Sequence, residues 1–240
     1  MLARNGPPFQ SVYRPMAGSR LASAWHAGRM ARRPLPVRLV QLYIGLSIYG
    51  FAAALQVRSV LGLDPWDTFH QGLARHVGLA IGTVVIIIGA AVLLLWIPLR
   101  QRPGLGTISN VVVIGLALNL SLDVLPSGGP LAWRIVEMLA GIVLGGVATG
   151  MYIGANFGPG PRDGLMTGLA RRTGRSIRLT RTAIEVTVLA AGWLLGGTIG
   201  IGTVLYAVGI GPLAQFFLPI FDSGRRVEPE VDLLDAPSAL

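Results

Sequence analysis

The sequence predicts an all-α polytopic membrane protein: six transmembrane helices as two inverted three-helix repeats, each with a short re-entrant or interfacial helix. Three observations predict it. Six stretches are apolar over the roughly 20 residues that a helix needs to cross ~30 Å of hydrocarbon. The chain resembles itself at an offset of 96 residues. Its arginines are unevenly shared between loops that this offset makes equivalent.

Composition sets the class. Of 240 residues, 52% are apolar and 13% charged, against ~25% charged in soluble domains. All 20 basic residues are Arg, 11 residues are acidic, and the formal net charge is +9. The lack of Cys excludes disulfides, thiolate nucleophiles and Cys-ligated zinc. The lack of Lys excludes a P-loop lysine, a Schiff base and a Ser–Lys dyad. The arginines flank apolar runs instead of forming a stripe, so no nucleic-acid partner is expected; the lipid bilayer is.

Taken in order, the spans are 39–57, 79–99, 105–122, 135–153, 182–199 and 201–221. In a bilayer every backbone polar group must be satisfied internally, which makes helices of runs this long. Breakers separate them, such as Arg100-Gln101-Arg102-Pro103-Gly104 and Pro126-Ser127-Gly128-Gly129-Pro130. With the N-terminus inside, 17 of the 20 Arg fall on cytoplasmic segments, in keeping with the positive-inside bias. Both termini are therefore expected in the cytoplasm. Trp96, Trp133 and Trp193 near span ends suggest an aromatic belt. Residues 1–37 are expected to be a disordered Arg-rich arm, unless translation starts at Met30; 223–240 are expected to be a solvated cytoplasmic tail.

The repeat divides the rest into units 38–126 and 135–222. Pro65 to Arg75 aligns with Pro161 to Arg171, with six of eleven positions identical. Gly45, Gly50, Gly62, Gly78 and Gly104-x-Gly106-Thr107 match Gly141, Gly146, Gly158, Gly174 and Gly200-x-Gly202-Thr203. Three spans per unit force the second unit to enter from the opposite side. The charges agree: the loop after the first span holds two Arg and its equivalent six. Such inverted repeats are typical of secondary transporters, with substrate bound near the midplane at the repeat interface.

The segments after Pro65 and Pro161 look helical but are too short and polar to cross. Two readings remain open: helices lying at the interface, or half-helices dipping from opposite faces so that their positive N-termini bound a polar cavity. The second makes Asp67, Asp163 and Arg162 candidate substrate-binding residues, together with Trp66 and His70 of the first segment. Glu185 joins them as an intramembrane carboxylate, although Arg181 four residues earlier would equally make a plain ion pair. Asn110, Asn119, Gln56 and Asn156 either line a path or bond across helices, and Gly141 to Gly154 fit small-residue packing. Asp67 and His70 lack a third ligand, so no metal site is expected. No nucleophile–base–orienter set is present, so no enzyme activity, catalytic residue or cofactor is expected.

Three motifs together resemble the YczE/YyaS/YitT family of bacterial membrane proteins: Asp64-Pro65-Trp66-Asp67, Tyr152-Ile153-Gly154-Ala155 leading to Gly158-Pro159-Gly160-Pro161-Arg162-Asp163-Gly164, and Arg181-Thr-x-x-Glu185. The resemblance covers about 38–221 and is closer to YczE, without the soluble C-terminal domain of YitT-type members. It implies a multi-pass bacterial inner-membrane protein and assigns no site residues. The expected function is a small-solute or ion transporter or permease, with an oligomer compatible. The alternative is a membrane-embedded accessory or scaffold protein that supports another system and transports nothing itself.

Overall fold

A computed structural model of the protein describes residues 33–224, which form eight α-helices and, among the described residues, no strand. They are α1 (Leu35–Ser59), α2 (Pro65–Val77), α3 (Ile81–Trp96), α4 (Leu105–Val124), α5 (Leu131–Gly154), α6 (Pro161–Thr173), α7 (Ile177–Leu194) and α8 (Ile201–Phe221). The expected arm therefore yields its last residues to a helix that begins at Leu35, where Pro36 suits the first turn. The remainder of the arm, Met30 and most of the tail lie outside the described residues.

Four helices, α1, α4, α5 and α8, are long and apolar enough to cross a membrane; a fifth crossing requires counting α2 and α3, bent by 111°, as one. The other two expected spans differ for local reasons. The second is a 16-residue helix, about 24 Å long at 1.5 Å per residue. The fifth starts earlier because the Ser176 hydroxyl accepts from Leu179 N at 3.2 Å and caps the helix there. That start brings Arg178, Arg181 and Glu185 into its first half.

The short segments are helices of 13 residues each, and the chain dictates both ends. Asp64 Oδ1 accepts from Trp66 N at 2.8 Å and Asp67 N at 3.0 Å, with Pro65 in the first turn. α6 starts at Pro161 behind Gly160, with no side-chain cap. Gly78 and Gly174, at φ 68° and 67°, end the two helices in the left-handed conformation open to glycine.

α1 packs against α5 and α4, α5 against α8, α2 against α7, and α6 against α3. The close approaches recur at the 96-residue offset with the halves exchanged. Gly45 faces Met151 and Tyr152, while Gly141 faces Ala52 and Gln56, so α1 and α5 cross antiparallel. Gly50 abuts Ala117 of α4; Gly146 abuts Leu213 of α8. Gly106 N donates to Phe157 O at 3.0 Å, and Gly202 N to Leu61 O at 2.9 Å. Gly150 and Gly154 likewise lie against Phe217 and Phe221, in accord with the small-residue packing expected. Asn119 bonds across helices, accepting from Gly82 N at 2.8 Å and donating to Thr83 Oγ1 at 3.3 Å.

Leu42, Leu46 and Leu118 are fully buried, while Leu94, Leu116, Val208 and Phe216 stand exposed on the outside. Exposed apolar side chains on this scale suit lipid. Trp133 and Trp193 are exposed as a belt requires, but Trp96 is 2% exposed and does not belong to one. Its indole N–H donates to Pro161 O at 3.1 Å, and its ring lies against Gly164. The absence of a side chain at Gly164 lets α6 close over the ring.

Candidate functional site

The first turns of α2 and α6 open onto one cavity of about 200 Å³. α2 contributes Trp66 and His70, with its cap Asp64; α6 contributes Arg162 and Asp163; α7 contributes Arg181 and Glu185. Tyr49 of α1, Tyr152 of α5, Tyr206 of α8 and Asn110 of α4 complete the polar part of the wall, and Val85, Ile88, Val92 and Ile114 supply an apolar side. The cavity thus draws on all eight helices.

An ion cluster between α2 and α6 forms the centre. Arg162 reaches Asp64 Oδ1 at 3.6 Å and Asp67 Oδ1 at 3.5 Å, and its guanidinium carbon lies 5.0 Å from the centre of the Trp66 ring. These separations exceed the ~2.7–2.9 Å of a close charge-assisted hydrogen bond. The guanidinium is held by charge and by the indole face. Asp64 and Asp67 are almost fully buried, and Asp67 Oδ1 also meets His70 Nδ1 at 3.1 Å. Two carboxylates removed from water require such a partner.

A second group surrounds Asp163. Tyr152 donates its hydroxyl to Asp163 Oδ2 at 3.2 Å. The Tyr152 ring packs edge-on against Tyr49 with centroids 6.2 Å apart. Tyr49 and Tyr206 share a hydroxyl–hydroxyl bond of 3.3 Å. At the rim, Arg181 Nε donates to Glu185 Oε1 at 2.9 Å. That pair is partly exposed.

All six residues singled out in the sequence come together here. Asp163, Arg162, Glu185, Trp66 and His70 line the cavity. Asp67 stands behind them, beside a smaller recess with Asp64, Tyr49 and Tyr206. Glu185 takes both of its expected roles, lining the cavity and pairing with Arg181. Asp64 and Tyr152 enter the sequence reading only as parts of motifs, and Tyr49 and Tyr206 are not singled out there. The repeat carried part of the signal: at the offset of 96, Asn110 matches Tyr206 and Gln56 matches Tyr152. Among the described residues, no group of three or more His, Cys, Asp or Glu is arranged to hold a metal ion.

A family of unknown function, DUF6198, matches residues 36–219. The chain belongs to this family. A protein of Haemophilus influenzae is 43% identical over 179 residues, 75% of this chain and 82% of its own length. The Bacillus subtilis membrane protein YczE is 36% identical over 190 residues, covering 78% and 88%. YyaS of the same organism is 28% identical over 183 residues, covering 75% and 91%. The YczE-like membership expected from the motifs holds. No solved structure matches the chain. With a membrane-protein relative and four helices able to cross, the chain is a membrane protein.

Proposed function

We propose that the protein is a transporter or permease for a small solute or ion in the bacterial plasma membrane, with its site midway between two inverted repeats. The shared cavity carries this reading: two short helices equivalent at the 96-residue offset both begin on it, and their first turns join acids and an arginine across the repeats. In this reading α1, α3 and α4 cross the membrane in the first unit and α5, α7 and α8 in the second. α2 and α6 re-enter from opposite faces. Antiparallel α1 and α5, equivalent in the repeat, support insertion of the two units from opposite sides. Ionisable groups are expensive inside a bilayer and by default mark a substrate or ion path. In this reading the protein has no catalytic step, and both termini are cytoplasmic, as the arginine bias suggests.

Two experiments test it. Because the chain lacks Cys, Gly128→Cys, Ser176→Cys and Gly196→Cys can each be probed with an impermeant thiol reagent on intact cells. Gly128 and Gly196 have no atom within 4 Å of an added Cβ, so the cost of either substitution is the backbone strain of φ 84° and 79°. Labelling of the first and third but not the second is expected; external labelling of the Ser176 variant overturns the topology. Purified protein in liposomes should then move a small solute or ion, with flux lost in Asp163→Asn. If a broad panel of solutes and ions shows no protein-dependent flux, the accessory or scaffold role takes its place.

A further inference from the structure

We infer that the cavity takes a small organic ammonium ion that also carries an acceptor oxygen, with Arg162 as the internal cation that it displaces; the inference rests on the permease reading above. Charge is the first argument. Beside Asp64, Asp67, Asp163 and Glu185 the site holds two guanidinium groups, Arg162 and Arg181, and the His70 imidazole against Asp67. Arg181 and Glu185 close on each other at 2.9 Å, which leaves the three acidic side chains of Asp64, Asp67 and Asp163 around the Arg162 guanidinium. An anionic solute would meet this excess at close range, whereas a cation relieves it.

Shape and surface narrow the cation. Arg162 lies over the Trp66 ring with two carboxylates 3.5 and 3.6 Å from its nitrogens. An aromatic face beside carboxylates is the surround that binds ammonium groups. The guanidinium already occupies it without the short contacts that would lock it there, so a ligand cation can exchange with it. An inorganic cation brings no apolar surface to the indole face and no acceptor for its N–H. A volume of about 200 Å³ limits the ligand to a small molecule.

The acceptor oxygen follows from an independent observation. Trp66 is 6% exposed and lines the cavity, yet its indole N–H has no hydrogen-bond acceptor. A buried donor without a partner is costly. A hydroxyl or carbonyl oxygen on the ligand would satisfy it.

The probe is choline, titrated calorimetrically into the purified full-length protein in detergent. Tetramethylammonium, acetate and the uncharged carbon isostere of choline serve as comparators. Choline should bind, tetramethylammonium should bind more weakly, and the uncharged isostere and acetate should bind at least about tenfold more weakly than choline. Arg162→Gln removes the competing cation and should bind choline about tenfold more tightly, with a larger choline-induced rise in unfolding temperature than the parent. Should that variant fail to fold, Trp66→Phe keeps an aromatic face and removes the N–H. It should weaken choline about tenfold more than tetramethylammonium, which loses only the stronger cation–π face of the indole. Binding of acetate or the neutral isostere as tight as choline, or equal losses for both ammonium probes in Trp66→Phe, overturns the inference. Binding is measured apart from flux, so the two readings fail separately. Choline that binds but is not moved, with no other solute moved, counts against the permease alone. Flux of another solute without choline binding counts against this inference alone.

Discussion

The start of α6 rests on Trp96, and Gly164→Ala tests how much of the site depends on that support. A Cβ at Gly164 would enter the space of the indole atoms Cε2, Cζ2 and Cη2. The ring is 2% exposed, and its N–H is tied to Pro161 O at 3.1 Å, so it cannot retreat without losing that bond. Overpacking of this kind costs ~1–3 kcal/mol, and the lost hydrogen bond about 1 kcal/mol. Alanine returns about 1 kcal/mol of helix propensity over glycine. The net loss is about 2 kcal/mol, or roughly 6 °C in unfolding midpoint for a chain of this size. Arg162 and Asp163 sit in the same first turn, so ligand affinity should fall with it. Thermal unfolding in detergent is the assay, with Gly145→Ala as the control. An added Cβ there meets only Ile210 Cδ1 at 3.8 Å, an ordinary contact, so that variant should lose nothing. The reasoning is refuted if Gly164→Ala melts within about 1 °C of the parent, or if Gly145→Ala falls as far.

Three further outcomes can be checked by the same melting assay. Thr107 is fully buried, donates to Pro159 O at 2.7 Å and accepts from Gly104 N at 3.1 Å; Thr107→Ala should cost ~1–3 kcal/mol. Asn119→Leu leaves Gly82 N–H without its acceptor between α3 and α4 and should cost a similar ~1–3 kcal/mol. The Arg181–Glu185 pair is partly exposed, with side chains 51% and 32% accessible. Glu185→Gln should therefore change stability by no more than about 1 kcal/mol. A changed solute affinity in that variant would show Glu185 acting on the cavity, whereas a large drop in midpoint would mark it as structural.

Legibility differed by element. The long apolar runs were plain because any segment in hydrocarbon must satisfy its own backbone, and α1, α4, α5 and α8 follow them closely. α7 was displaced because a single capping serine outweighed the hydropathy profile at its start. Trp96 was misplaced for a different reason: a tryptophan at a span end suits an aromatic belt, and nothing local signals that a glycine 68 positions later will receive its ring. Asp64 stood out in the sequence only as part of a motif; it caps α2 locally, accepting from Trp66 N and Asp67 N. That its carboxylate also faces an arginine nearly a hundred residues away depends on how the halves meet.

By itself the sequence determined the all-helical, membrane-embedded class, the YczE-like family and the paired Pro-x-Asp helices. The class and the paired helices follow from hydropathy, spacing and local capping, which act over a few residues; the family follows from the resemblance of three motifs. Only the tertiary structure decided that α2 and α6 begin on one cavity, that Arg162 reaches both Asp64 and Asp67, and that Tyr49, Tyr152 and Tyr206 join them. The reason is physical. Buried charges are tolerated only beside their partners, and here the close glycine-mediated approaches between helices, fixed by long-range packing, bring those partners within reach.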